Sequence, residues 1–189
     1  GRSKILIEAH AFPSDKNAVE SQIQVHGYSA SDSLLEVPPN DRGLIDTETI
    51  CKMIDEHADS LALILLPGVQ YYTGQVLEMK AITECARRNQ VVIGLDLAHA
   101  VGNVVMELHD WEVDFACWCT YKYLNSGPGS LAGCFVHERH ARNTALPRLA
   151  GWWGHQKETR FQMTGEFNPI PTAEGWQLSN PPILSLAAI

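Results

Sequence analysis

Between residues 61 and 96 the chain runs from an unbroken apolar segment, Leu61-Ala62-Leu63-Ile64-Leu65-Leu66, through Pro67-Gly68 and an amphipathic stretch. It then enters a second apolar segment, Val91-Val92-Ile93-Gly94-Leu95, that stops on Asp96. Strand-length runs without polar alternation need cover on both faces, and parallel strands obtain it from their crossover helices. The same alternation recurs along most of the chain, with strands predicted over 5–7, 61–66, 91–95, 113–119 and 131–136. Helices are predicted over 14–26, from Asp46-Thr47-Glu48 onward, where Ile50, Met53, Ile54 and His57 share one face, and over 76–89. Ser14 or Asp15 is expected to cap the first helix and Gly27 to end it in the left-handed conformation. Segments 37–41 and 69–74 read as loops. The expected fold is α/β, a mostly parallel sheet with flanking helices. Beyond His137 the periodicity fades, so residues 1–148 are expected to form the sheet domain and 149–189, with three Trp, ordered loop or interface material.

Composition narrows the function classes. Twenty-two acidic against fourteen basic residues give a net charge of -8, the wrong sign for tracking nucleic-acid phosphates. The longest apolar run, 61–67, falls far short of the roughly 20 residues of a membrane-spanning helix. Neither nucleic acid nor membrane is therefore an expected partner. Five cysteines, an odd number scattered through helical and strand contexts, suggest free thiols in a reducing, cytoplasmic setting. Gly1 and the apolar 184–189 tail both read as cuts through structure, so the chain is expected to be an interior fragment. Cys117 and Cys119, and His137 and His140, lack a second pair at metal-ligand spacing; core thiols and a solvated helix start are expected there, and no metal. The glycines of 127–133 precede a strand instead of joining strand to helix, which removes the mechanism of a dinucleotide loop.

Two polar residues stand where the apolar pattern does not place them. Asp96 closes one strand run, and Lys122 follows another, Phe115-Ala116-Cys117-Trp118-Cys119-Thr120-Tyr121. In open α/β sheets ligands bind at the carboxyl edge of the strands. A partly desolvated amine at that edge is a nucleophile for an aldehyde, and a neighbouring carboxylate can hold a ring nitrogen protonated. The plainer alternative is a turn-capping Asp96 and a solvated Lys122.

The segments Asp96-Leu97-Ala98-His99-Ala100-Val101-Gly102-Asn103, His109-Asp110-Trp111 and 114–125, taken in this order, resemble the cofactor core of the kynureninases, fold-type I pyridoxal-phosphate hydrolases. The resemblance runs from Phe12-Pro13-Ser14-Asp15 through Tyr72-Thr73-Gly74 to Gly151-Trp152 and Ser179-Asn180-Pro181-Pro182-Ile183. It implies the central part of a cofactor-binding large domain, with pyridoxal 5'-phosphate as cofactor and kynurenine or 3-hydroxykynurenine as substrate. The implied products are an anthranilate and alanine, within tryptophan catabolism and NAD biosynthesis, and the implied assembly is a cytoplasmic homodimer. Carried across residue by residue, Lys122 corresponds to the lysine that holds the cofactor and moves protons, and Asp96 to the partner of its ring nitrogen. His99 corresponds to a neighbour of the ring, Phe12 to the aromatic stacked on it, and Pro13, Ser14 and Asp15 to the adjoining cofactor-binding stretch. Tyr121 matches the tyrosine on the cofactor phosphate and an acid in catalysis, while Trp152 and Asn180 match residues that a second subunit contributes. Pro67 departs from the pattern: it stands where the family often has a serine, offers neither hydroxyl nor N–H, and reaches a ligand only by packing or through its carbonyl. No residue here matches the arginine that grips the substrate carboxylate. The alternatives are another enzyme of the class V aminotransferase or cysteine desulfurase type, or an inactive scaffold piece.

Overall fold

The computed structural model describes residues 1–187 and 189. Five strands run parallel, β1 (Lys4–Glu8), β2 (Leu34–Val37), β3 (Leu61–Pro67), β4 (Val92–Asp96) and β5 (Phe115–Cys119), and β6 (Ala132–Val136) closes the sheet antiparallel to β5. Their order is β2-β1-β3-β4-β5-β6. Helices α1 (Pro13–Val25), α2 (Ala30–Ser33), α3 (Thr47–His57) and α4 (Met79–Arg88) connect the parallel strands, and α5 (Glu138–Ala141) follows β6. Beyond it come three 3-10 turns, Trp152–Gly154, Arg160–Gln162 and Ala173–Trp176, and a short α6 (Ile183–Leu186).

Alternate side chains of a strand leave by opposite faces, and the core divides accordingly. Ile5 and Ile7 of β1 pack with Val19 and Ile23 of α1 on one face. Leu6 joins Ile64, Leu66, Ile93 and Leu95 against Ile50 and Ile54 of α3 and Ile82 and Ala86 of α4 on the other. Gly94 is required in the middle of β4 because a Cβ there would run into the Phe115 ring of β5.

The differences from the sequence reading have local causes. The edge strand β2 was not anticipated; four residues, Leu34-Leu35-Glu36-Val37, ending at two prolines carry too short a pattern to read. Helix α4 begins at Met79, later than the expected residue 76, because Val76 pairs with Val69 and Leu77 N–H donates to Gly68 O at 3.0 Å. At the start of α1, Phe12 is the N-cap and Pro13 the first helical residue, and neither Ser14 nor Asp15 caps. Of the two expected core thiols, Cys117 is exposed, facing exposed Cys134 across β5 and β6, and Cys119 is half-buried. His137 is buried and His140 binds Asp114, so that segment is no solvated helix start. Among the described residues no helix is long and apolar enough to cross a membrane.

The chain steps from β1 outward to β2 and then returns to place β3 on the other side of β1. Such a reversal opens a crevice at the carboxyl ends of the strands. Glu8, Pro67 and Asp96 are the last residues of β1, β3 and β4, and all lie at that edge.

Candidate active site

Four connections converge on the crevice, which is narrow, with a cavity volume of about 20 Å³. Glu8 comes from β1, Phe12 and Asp15 from the start of α1, and Pro67, Val69 and Tyr71 from β3 and the loop after it. Asp96 and His99 follow from β4 and the turn beyond it, and Lys122 from the loop after β5.

Local chemistry sets each position. The Asp96 carboxylate accepts Ala98 N–H at 2.8 Å, which turns the chain sharply after β4 and brings His99 over the edge. Gly102 (φ 79°) lets this turn lie against the next loop, since a Cβ on it would meet Tyr123 O at 2.8 Å. The 120–131 loop is itself pinned: Thr120 Oγ1 donates to Leu131 O and accepts from Ser126 Oγ at 2.7 Å, and Ser130 Oγ donates to Ser126 O at 2.6 Å. Lys122 Nζ is thereby held 3.0 Å from His99 Nε2 and 5.8 Å from the centroid of the Phe12 ring. Phe12 is in turn braced edge-on by Tyr71, centroid to centroid 5.2 Å.

The electrostatics are those of crowded acids around one amine. Burial, and after it the Asp96 carboxylate, push Asp15 up to about 7. Burial also raises Glu8 to about 7, against the hydrogen bond from Gln70 and with help from Asp15 and Asp96. His99 is lowered, first by burial and then by the Lys122 ammonium, so its imidazole is neutral and Nε2 accepts from Nζ. An amine beside an aromatic face, with carboxyl groups opposite, suits a flat heteroaromatic aldehyde: the amine for the carbonyl, Phe12 for the ring and an acid for a ring N–H.

Six of the sequence-derived candidates, Phe12, Asp15, Pro67, Asp96, His99 and Lys122, share this cleft. Pro13 and Ser14 sit exposed on the first turn of α1 beside it. Tyr121 is exposed and does not line it; the Cys119 thiol alongside raises the phenol. Trp152 lies in a separate hollow with Arg160 and Phe167, and exposed Asn180 accepts from Ser179 Oγ, at 3.3 Å. Sequence reasoning missed Glu8, Val69 and Tyr71. For Glu8 the signal was present, because it ends an apolar strand run just as Asp96 does.

A family model described as Aminotransferase class-V matches residues 12–145. Over its full length the chain is 58% identical to a kynureninase of Stenotrophomonas maltophilia, of which it covers 45%. Over 96% of its length it is 56% identical to a kynureninase of Nematostella vectensis, of which it covers 39%. It thus spans less than half the length of the curated relatives it matches. Among solved structures, the cystine C-S lyase C-DES in complex with cysteine persulfide superposes with a TM-score of 0.73 at 19% identity, over 99% of this chain and 48% of that one. The cysteine desulfurase CsdA of Escherichia coli gives 0.71 at 15% identity, over 99% and 44%. These two likenesses are of fold.

Proposed function

This chain belongs to the aminotransferase class-V family, and from that premise we propose that the full-length protein hydrolyses kynurenine, or its 3-hydroxy form, to an anthranilate and alanine with pyridoxal 5'-phosphate. The observation that carries the reading is the meeting of Lys122, His99, Asp96 and Phe12 in one cleft of a chain 58% identical, end to end, to a curated kynureninase. When bound, the cofactor supplies a protonated ring that accepts the electron pair released at the substrate Cα.

The residues of this chain do the rest. Lys122 would hold the cofactor through its amine and would move the substrate's α-proton; His99, 3.0 Å away, accepts a hydrogen bond from it and fixes its direction. Asp96 would hold the ring nitrogen protonated, and Phe12 would cover a face of the ring. Asp15 and Pro67, which line the cleft, would adjoin the cofactor, with Pro13 and Ser14 beside them on the first turn of α1, and Tyr121, outside the cleft in this structure, would bind the phosphate. Water adds to the side-chain ketone before the Cβ–Cγ bond breaks, and Tyr121 or Lys122 returns a proton to the three-carbon fragment. The exposed positions of Trp152 and Asn180, outside the cleft, suit residues delivered to a partner's site in a homodimer, with 1–148 as the cofactor-binding part and 149–189 as the interface. A cytoplasmic location accords with five free thiols. A desulfurase needs a cysteine on a mobile loop, whereas the five here lie on α3, α4, β5 and β6.

The test uses full-length protein incubated with pyridoxal 5'-phosphate and kynurenine. Anthranilate fluorescence and equimolar alanine are expected, and Lys122→Ala removes both the turnover and the visible absorption band of the bound cofactor. A Lys122→Ala variant that keeps that band overturns the assignment.

A further inference from the structure

Glu8 is only 2% exposed, yet its side chain is poorly satisfied. Oε1 receives one long hydrogen bond, 3.5 Å, from Gln70 Nε2, and Oε2 has no partner among the described residues. Gln70 cannot do more. Its Oε1 is committed to the N–H groups of Tyr72 at 2.7 Å and Thr73 at 2.8 Å, so the amide is locked with its N–H side toward Glu8 and the His10 carbonyl. A buried carboxylate with one weak donor is costly, whereas the neutral acid needs only an acceptor for its own O–H.

The groups around the cleft narrow the choice of acceptor. Asp15 faces it from α1, Asp96 from the end of β4, His99 and Lys122 from the loops beyond β4 and β5, and Tyr71 from the loop after β3. Lys122 and His99 are engaged with each other. Asp15 and Asp96 hydrogen-bond each other, and both lie close enough for their charge to raise Glu8, which leaves the remaining lone pairs of that pair as the acceptors. We propose that Glu8 is a positioning residue of this cleft: it stays protonated and donates its Oε2 hydrogen to the Asp15–Asp96 pair, holding the Asp96 carboxylate toward the ring nitrogen of the cofactor. The inference rests on the pyridoxal-phosphate reading above. The rise of Glu8 to about 7, caused first by burial, agrees with it.

The first test needs no cofactor: the stability of the full-length apoprotein is followed against pH. A carboxyl raised on folding contributes stability that is complete below its ordinary value of 4.5 and is lost as pH climbs through about 7. Across that window the wild-type folding constant falls by up to about tenfold per pH unit for this one proton, and Glu8→Gln, which donates but does not titrate, lacks that share of the fall. The second test is release of pyridoxal 5'-phosphate, where Glu8→Ala is expected to lose cofactor roughly tenfold faster and Glu8→Gln to stay within about threefold of wild type, the scale of one hydrogen bond to a charged group. A Glu8→Gln slope equal to that of the wild type, or equal release from the two variants, overturns the proposal. Wild-type protein that binds no cofactor overturns the functional reading instead, and the apoprotein slope still decides Glu8.

Discussion

Two aspartates mark opposite ends of the same strand pair: Asp96 closes β4 at the carboxyl edge, and Asp114 precedes β5 at the amino edge. Asp114 holds three donors. Its Oδ2 accepts Ile93 N–H at 2.8 Å, and its Oδ1 accepts from Arg139 Nη2 and His140 Nε2, each at 2.5 Å. Burial alone pushes its carboxyl up, but His140, the Ile93 N–H and Arg139 outweigh burial and bring it below the usual carboxylate range. Asp96 has one backbone donor and two acidic neighbours, both raised to about 7. A carboxylate with donors on both oxygens ties strands together. One left short of donors, among acids raised to about 7 and an amine held 3.0 Å from an imidazole, suits a ligand that completes it.

The largest expected effects pull these ends apart. In full-length protein, Asp96→Asn is expected to lower kcat/KM for kynurenine by about a hundredfold or more, the scale of removing one preorganised electrostatic partner. Its stability changes by less than about 1 kcal/mol, because Asn keeps the acceptor for the Ala98 N–H. Asp114→Ala does the reverse. It strands an imidazole and a backbone N–H, leaves the guanidinium with only the Glu112 carbonyl, and costs roughly 2–4 kcal/mol of stability, below the full value for a buried pair because Arg139 and His140 keep about a third of their surface in water. Chemical denaturation beside steady-state kinetics checks both, and a stable Asp114→Ala with poor kinetics would erase the distinction.

Next in size is the pH response, which has opposite signs at the two ends. Asp114 is held below its ordinary value of 3.8, so the stability it contributes is present above that value and is lost as pH falls through the lower folded value. Asp15 is held above 3.8, near 7, so its contribution is complete below 3.8 and is lost as pH rises toward 7. Asp114→Asn is therefore expected to flatten the acid limb of the stability profile alone, and Asp15→Asn to flatten the fall toward neutrality alone. Melting temperature measured from pH 3 to 8 separates them.

The same contrast explains what was legible in the sequence. Asp96 and Lys122 stood out because each interrupts an apolar run at a strand end, and Phe12, Asp15, Pro67 and His99 entered with them through resemblance. Glu8 ends the run Ile5-Leu6-Ile7 in the same manner and was passed over, because a single acid before a loop also reads as ordinary solvation. The Asp114 clamp was illegible for a different reason. Its partners lie 25 and 26 residues away, beyond an antiparallel strand, so no local period links them. The parallel core was readable because strands buried on both faces must be apolar throughout, whereas β2, short and at the edge, was under no such demand.

The smallest effect tests whether the cleft end works by shape as well as charge. Phe12 is 45% exposed, touches Tyr71 edge-on at 5.2 Å and lies 5.8 Å from Lys122 Nζ, so its ring is free to be covered by a flat ligand. Stacking geometry contributes about 0.5–1.5 kcal/mol beyond apolar area, so Phe12→Leu, which keeps much of the area, is expected to weaken pyridoxal 5'-phosphate binding roughly three- to tenfold. The Asp114 end gives no reason for stability to follow. Fluorescence titration of the apoprotein with the cofactor measures the first quantity and thermal melting the second. Unchanged affinity in Phe12→Leu would mean that the ring braces Tyr71 instead of covering the ligand, leaving Lys122 and the acids as the whole of what the cleft offers.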